Sequence, residues 1–241
     1  MTYLSLEFSG VTPVLSKDYE LFLVDLPGHS ASREFLPLTL DNAVDALARL
    51  IKTKVPGGKT HLVGLSMGGF MILELARRHP ELLLSLWCTG CAPNYGFKLW
   101  LFSQPRLLTG LIRCISSLAN ERMFWLSLGV KPVPGLREQC RKNQSMALLT
   151  AGFTELVKIT RESLAEIKGV RIAIIAGAKL DNVRDATDAG KILGSANPEC
   201  KGFVVREAIH WWDLQFPELF ARGIRAWIEG REMPKECELL S

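Results

Sequence analysis

The stretch His61-Leu62-Val63-Gly64-Leu65-Ser66-Met67-Gly68-Gly69 decides the fold of this 241-residue chain. An apolar strand pattern enters it and a helical pattern follows directly. Between them, Gly64, Ser66 and Gly68 have the Gly-x-Ser-x-Gly spacing of a nucleophile elbow. Such a turn strains the serine backbone, and the glycines on either side keep Cβ atoms out of the way. A glycine-rich turn that carries a serine by chance is the alternative interpretation.

The composition is that of an ordinary globular protein, with 48% hydrophobic and 22% charged residues. The net charge of +4 is spread along the chain, and the modest cluster of Arg137, Arg141 and Lys142 indicates a solvated helix face. The first ten residues lack a signal-peptide pattern, and no apolar run reaches about 18 residues. We therefore expect no nucleic-acid partner and no membrane span.

The cysteine pattern does not predict a metal site. The six cysteines are Cys88, Cys91, Cys114, Cys140, Cys200 and Cys237. Cys88 and Cys91 have C-x-x-C spacing, but no second pair and no nearby histidine accompany them. We expect buried thiols in a reducing compartment, which predicts a cytoplasmic protein without a metal or organic cofactor.

Strand and helix patterns alternate along most of the chain. Short apolar runs predict strands at residues 21–24, 62–63, 82–87, 170–176 and 202–205. Thr39 or Asp41 is positioned to cap a helix that runs to about residue 54, and Phe216 or Pro217 opens a final helix. This alternation predicts an α/β fold with a doubly wound, mainly parallel sheet and helices on both faces. Residues 1–20 fit both a strand and a helical face, and the period alone does not separate the two.

Strand patterns are missing between residues 92 and 168. Helical patterns cover residues 99–102, 107–118, 122–128, 136–149 and 153–167. We therefore predict an inserted helical cap at 92–168 and a core built from residues 1–91 and 169–241. Aromatic side chains of the cap are candidates to line an apolar pocket, although plain helix packing explains any single one: Trp100, Phe102, Phe124, Trp125 and Phe153.

Three polar residues each fall just after a predicted strand: Ser66, Asp181 and His210. Ligands of such sheets bind at the carboxyl ends of strands, so these side chains are expected at the same rim. A serine hydroxyl needs a base to become a nucleophile, and the base needs a carboxylate to fix its tautomer. The order predicts Ser66 as nucleophile, His210 as base and Asp181 as acid.

The sequence resembles the α/β-hydrolase superfamily over nearly its whole length. The matching pieces, in the family's order, are residues 25–32 (Asp-Leu-Pro-Gly-His-Ser-Ala-Ser), the elbow at 64–69, residues 177–183, and His210 with Phe216-Pro217-Glu218. The resemblance implies a serine hydrolase acting on an ester or related acyl group of a small molecule with an apolar portion. It also implies that the N–H of Met67 is one donor to the oxyanion. A non-catalytic binding protein on the same fold is the competing hypothesis.

The acid position departs from the family pattern by one residue. The family commonly places its acid three residues after the glycine of this loop, where this chain has Leu180. Asp181 follows it and remains the predicted acid, and Asp185 is the second candidate. As a charge near a helix N-terminus, Asp185 also has an ordinary structural explanation.

The second oxyanion donor is the other departure. In the family it comes from a His-Gly loop that lies upstream of the residues matching Asp25 to Ser32, and counting back reaches Met1. Early strands of the sheet are therefore expected to be absent. Three explanations stay open: a shortened hydrolase, a replacement strand at residues 1–8 with a donor near Thr2 or Tyr3, or a degenerate hydrolase that only binds.

Overall fold

A computed structural model describes residues 5–118 and 120–240, and its sheet has five strands side by side in chain order. They are β1 (Thr60–Leu65), β2 (Leu83–Thr89), β3 (Arg171–Gly177), β4 (Lys201–Val205) and β5 (Glu238–Leu240). β1 to β4 run parallel, and β5 pairs with β4 antiparallel. The predicted mainly parallel sheet is confirmed. The three-residue β5 was not predicted because so short a run carries no recognisable period.

Helices cover both faces of the sheet. They are α2 (Leu40–Lys54), α3 (Met67–Arg78), α10 (Val183–Ala196) and α12 (Pro217–Ile228), and the four-residue α11 (Trp212–Gln215) comes just before α12. The central strand β3 sends Ile172 and Ile174 into the core with α2, α3 and α10. Its alternate residues Ala173 and Ile175 enter the core with α12. Successive side chains of β3 therefore lie on opposite faces of the sheet, and both faces are apolar. A doubly wound sheet requires this pattern, so the predicted helices on both faces are also confirmed.

The start of α2 decides between the two predicted caps. The Thr39 side chain accepts a hydrogen bond of 3.1 Å from the N–H of Asn42. Asp41 lies in the first turn and pairs with Arg78 instead. Thr39 is therefore the N-cap.

Six helices lie between β2 and β3 in the described residues, without a strand. They are α4 (Gly96–Phe102), α5 (Pro105–Leu118), α6 (Glu121–Leu128), α7 (Leu136–Asn143), α8 (Met146–Leu156) and α9 (Arg161–Ala165). The predicted helices at 136–149 and 153–167 are wrong in their boundaries. Ser145 accepts a hydrogen bond from Leu148 N–H and starts a new helix, and Thr160 starts another with a capping box.

The strand predicted at residues 21–24 is wrong. Those residues make no strand, and Phe22, Leu23 and Val24 are 42%, 50% and 46% exposed. β1 stands at the edge of the sheet, and an apolar groove with a volume of about 230 Å³ lies between it and residues 20–26. A strand exists only where a neighbour pairs with it, and the apolar run at 21–24 has no such neighbour among the described residues.

The N-terminal residues adopt the helical alternative. A 3-10 helix spans Ser5–Gly10, and α1 spans Thr12–Leu15. Phe8 lies against Phe220 of α12 with ring centroids 6.1 Å apart, and Val11 and Leu15 are buried in the same core. The replacement strand predicted for residues 1–8 is therefore wrong for residues 5–8, and its donors Thr2 and Tyr3 lie outside the described residues.

Five of the six cysteines are free and buried: Cys88, Cys91, Cys140, Cys200 and Cys237. Cys114 on α5 is exposed, contrary to the expectation of buried thiols, because it lies on the outer side of that helix. Within the described ranges, no helix combines the length and the apolar character that crossing a membrane requires.

Candidate active site

Ser66 occupies the single position between the end of β1 and the start of α3. Its backbone has φ 52° and ψ −119°, which a residue with a Cβ rarely adopts. The N–H of Ser66 donates to the carbonyl of Thr89 at 2.9 Å, and its own carbonyl accepts from the N–H of Phe70 at 3.1 Å. Strand, turn and helix therefore hold the serine in the strained conformation expected of a nucleophile elbow.

Of the two glycines in the Gly-x-Ser-x-Gly motif, only Gly64 stands at a position where a neighbouring backbone leaves no room for a Cβ atom. A Cβ on Gly64 would lie 2.7 Å from the carbonyl of Gly68 and from the nitrogen of Gly69. A Cβ on Gly68 would meet nothing within 4 Å, whereas one on Gly69 would lie 2.4 Å from Sγ of Cys91. The expectation that Gly68 makes room for a close neighbour is wrong, and the missing Cβ of Gly69 instead makes room for the side chain of Cys91.

Asp181 and His210 form a direct contact at the carboxyl ends of β3 and β4. Oδ1 of Asp181 lies 2.6 Å from Nδ1 of His210. The second carboxylate oxygen accepts the N–H of Gly177 at 2.9 Å, and the N–H of Asp181 donates to the Gly177 carbonyl at 2.9 Å. The loop thus fixes the carboxylate through backbone bonds. An ionised carboxylate only accepts, so Nδ1 of His210 carries the proton and Nε2 is left with a free lone pair.

The loop that carries His210 is fixed on both sides. Nε1 of the buried Trp212 donates to the buried hydroxyl of Thr89 at 2.7 Å. The N–H of Ile209 donates to Oε1 of Gln215 at 2.9 Å. Trp211 stands edge-on to the His210 ring, with centroids 5.1 Å apart. These contacts hold the imidazole in place at the rim of the sheet.

Gly90, the residue after β2, was not singled out from the sequence. It has φ +60°, and a Cβ there would lie 2.5 Å from Cε1 and 2.6 Å from Nδ1 of His210. Its N–H donates to the carbonyl of Ile175 on β3. A glycine three residues beyond the predicted strand at 82–87 was the signal that could have found it.

Asp185 lies near the same rim but does not contact His210. It is in the first turn of α10 and is only 3% exposed, and its two carboxylate oxygens have no hydrogen-bond partner in the described residues. Nζ of Lys98 is 3.9 Å from Oδ2. Burial raises the pKa of Asp185 above the usual value for an aspartate. Of the two candidate acids, the structure brings Asp181 to the histidine.

The other three histidines are engaged elsewhere. His29 is buried with Nδ1 3.0 Å from the carbonyl of Pro27, and burial lowers its pKa. Nδ1 of His61 is 2.8 Å from the Ser85 hydroxyl, and His79 lies beside Glu81. His210 is the histidine that lines the cavity of Ser66 in the part of the chain that the structure describes.

Ser66, Asp181 and His210 share one cavity with a volume of about 490 Å³. Its walls are largely apolar and include Phe102, Phe124 and Phe153 from the helices between β2 and β3. Of the other aromatic side chains predicted there, Trp125 packs with Leu136 and Cys140, and Trp100 is more than half exposed. No hydrogen bond joins Ser66 Oγ to His210 among these described side chains, and such bonds often tighten only when substrate binds.

Met67 begins α3 and is fully buried. Its N–H is in the first turn, where backbone donors have no partner within the helix. Every described residue that lines the cavity lies at or after Ser66 in the chain. A second oxyanion donor from the N-terminal part of the chain is therefore not found within the described residues. Nor do those residues contain a cluster of His, Cys, Asp or Glu that could hold a metal ion.

Comparisons with known proteins agree with this geometry. The profile of the alpha/beta hydrolase fold family matches residues 4–113. A pimeloyl-[acyl-carrier protein] methyl ester esterase of Cronobacter sakazakii is 31% identical over 228 residues, which are 90% of this chain and 85% of the relative. The chain belongs to the α/β-hydrolase superfamily.

Two further proteins illustrate how far the similarity extends. An AB hydrolase superfamily protein of Gibberella zeae is 28% identical over 97% of this chain and 79% of its own length. The crystal structure of a hydrolase from Pseudomonas aeruginosa PA01 superimposes with a TM-score of 0.72 at 20% identity, covering 95% of this chain and 86% of that one. Other esterases of the pimeloyl type match over only 25% to 40% of their length. The fold and the hydrolase family are therefore shared along the chain.

Proposed function

We propose that this protein is a serine hydrolase that cleaves a carboxylic ester or a related acyl substrate. The observation that carries the proposal is the 2.6 Å contact between His210 Nδ1 and Asp181 Oδ1, beside the cavity that the strained Ser66 also lines. The esterase among the relatives supports the same reaction class. Neither a metal nor an organic cofactor is part of the proposal.

The proposed first half-reaction forms an acyl-enzyme. Ser66 Oγ attacks the substrate carbonyl while Nε2 of His210 takes the hydroxyl proton, and Asp181 stabilises the resulting imidazolium. The oxyanion of the tetrahedral intermediate receives the N–H of Met67, at the positive end of α3. Collapse of the intermediate breaks the bond to the leaving alcohol, which takes the proton from His210. Water then repeats the sequence and releases the acid.

The substrate class follows from the walls of the cavity. Its aromatic and aliphatic lining favours an apolar acyl or alcohol group, with the scissile bond at the polar end near Ser66 and His210. We propose that residues 92–168 form a cap over a core of residues 1–91 and 169–241, since their helices supply much of this lining. Buried free thiols support a reducing, cytoplasmic location.

A fluorophosphonate probe tests the proposal directly. We expect it to label the folded protein, and we expect Ser66→Ala to abolish labelling whereas Ser195→Ala, at an exposed serine of α10, does not. His210→Ala should remove esterase activity and slow labelling while leaving the melting temperature little changed. Absence of labelling in the folded protein would refute an activated Ser66.

The alternative is a binding protein that does not cleave. One observation favours it: a single oxyanion donor, the N–H of Met67, is identified in the described residues, and loss of one donor costs about 10²–10³ in rate. Such a protein would bind apolar esters in the cavity, protect them from hydrolysis and remain unlabelled by the probe.

A further inference from the structure

The helices α4, α5 and α6 carry large apolar side chains on their open sides. Besides Met123, they include six that are between 54% and 75% exposed: Phe97, Trp100, Leu107, Leu111, Ile115 and Leu126. Single exposed apolar residues are normal on protein surfaces, but a run of them over three consecutive helices marks an interaction surface. We name these six side chains the apolar surface.

The spacing of these residues follows the helix period. Leu107, Leu111 and Ile115 are four residues apart and form one stripe along α5. Phe97 and Trp100 are three apart on α4, and their rings stack with centroids 5.3 Å from each other. Ile115 also lines the active-site cavity, as do residues on the inner sides of the same helices. Ile115 therefore belongs both to the stripe and to the wall of the cavity, whereas the other five side chains of the apolar surface do not line the cavity.

Contrary to the expectation of a net charge spread along the chain, the net positive charge lies in the segment that carries the apolar surface. Residues 92–131 contain five basic residues and one acidic residue: Lys98, Arg106, Arg113, Arg122, Lys131 and Glu121. This net charge of +4 equals the formal net charge of the whole chain, so the remaining residues are balanced. Lys98, Arg106 and Arg122 are exposed. Basic side chains therefore alternate with exposed apolar ones in this segment.

We propose that the apolar surface docks on an anionic lipid bilayer. Amphipathic helices with basic residues bind in the plane of such a membrane, where apolar side chains enter the interface and lysine or arginine meets lipid phosphates. A second copy of the chain would oppose two surfaces of the same positive charge, which disfavours association. The helices have 7, 14 and 8 residues, whereas a span needs about 20, so they lie on the membrane.

The location of the surface suggests a route for substrate. Phe102, Ile112 and Phe124, on the same three helices, line the cavity of Ser66. If the proposed hydrolase activity holds, an apolar ester dissolved in the bilayer passes between these helices to the site. Docking itself does not depend on that activity, so Ser66→Ala should bind vesicles like the unaltered protein.

Vesicle flotation with the full chain tests the docking. The two preparations are phosphatidylcholine alone and phosphatidylcholine with about one quarter phosphatidylserine. We expect the protein to float with the anionic vesicles, to bind the neutral ones at least about tenfold more weakly, and to be released by high salt. Absence of flotation, or equal binding to both preparations, would overturn the proposal.

Matched variants locate the binding surface. Leu107→Ser with Leu111→Ser should weaken binding to anionic vesicles by about tenfold or more, and Arg106→Glu with Arg122→Glu should do the same. The controls are Leu23→Ser with Leu239→Ser and Lys52→Glu with Lys59→Glu, which change exposed residues elsewhere and should have no effect. The proposal fails if the controls weaken binding equally. It also fails if the leucine variant instead converts a dimer into a monomer in size-exclusion chromatography, since a second copy would then cover the surface.

Discussion

Gly90→Ala should disable the site while leaving the fold intact. The added Cβ would stand 2.5 Å from Cε1 of His210, whereas ordinary van der Waals contact begins near 3.4 Å, so the ring must retreat by about 1 Å. That movement lengthens the 2.6 Å contact with Asp181 or turns Nε2 away from Ser66. A displacement of this size in a catalytic group costs about 10²-fold in rate.

Backbone strain must be separated from this collision, and the chain offers a matched control. Gly90 and Gly58 have φ +60° and +64°, but a Cβ on Gly58 would meet nothing within 4 Å. Alanine in a left-handed conformation costs about 1 kcal/mol of stability at either position. Both variants should therefore lose similar stability, and only Gly90→Ala should also lose activity.

The assay pairs kcat/KM for a p-nitrophenyl ester with urea unfolding of both variants. We expect kcat to account for most of the loss in Gly90→Ala, because the substrate cavity is otherwise unchanged. If Gly90→Ala hydrolyses the ester as fast as Gly58→Ala, the position of His210 in this structure is not the catalytic one, and the assignment of the base must be abandoned.

Three further predictions test other parts of the structure. In ester hydrolysis, Asp181→Asn should reduce kcat severalfold more than Asp185→Asn does, because only Asp181 of these two residues contacts His210. If Asp185→Asn has the larger effect, Asp185 is the acid. Leu23→Ser should change the free energy of unfolding, measured by urea titration, by less than about 0.5 kcal/mol because Leu23 is exposed. The buried Ile174 of β3 is the comparison, and Ile174→Ala should lower this free energy by about 2–5 kcal/mol. A large effect of Leu23→Ser would contradict the exposed position of Leu23. Burial raises the pKa of Asp213 to about 7, so between about pH 4 and about pH 7 the native state holds a proton that the unfolded chain releases. The free energy of unfolding should therefore fall as the pH rises through this window, and Asp213→Asn should remove that slope; an unchanged slope would show that another group causes it.

That Ser66, Asp181 and His210 lie around one cavity was predictable, because the sequence signal of each is local and their order along the chain is informative. Ser66 lies in a motif with a strand before it and a helix after it, and Asp181 and His210 each follow an apolar run. A parallel sheet brings such positions to one edge whatever the details of packing. The one-residue shift from Leu180 to Asp181 was accommodated by the loop, since the carboxylate is fixed by bonds to Gly177.

The errors come from interactions between distant residues. Residues 21–24 have the composition of a buried strand, yet strand formation depends on a partner that the residues themselves do not encode. Gly90 owes its importance to His210, which is 120 positions away in the chain. Likewise, helical periodicity continues through Ser145, and only the hydrogen bond from Leu148 reveals the break between α7 and α8.

The elbow is supported from one side of the sheet. β1 is an edge strand, and the N–H of Ser66 is held by Thr89 of its neighbour β2. Two further hydrogen bonds connect β2 to the strands that lie beyond it. The N–H of Gly90, after β2, donates to the carbonyl of Ile175 on β3, and Nε1 of Trp212, after β4, donates to the hydroxyl of Thr89 on β2. The proposed triad of Ser66, Asp181 and His210 therefore rests on consecutive hydrogen-bonded strands. On the other side of Ser66, the groove beside β1 provides no such ladder in the described residues. In the proposed hydrolase, stabilisation of the oxyanion rests on the N–H of Met67 and the dipole of α3, so we expect activated esters to be far better substrates than simple alkyl esters.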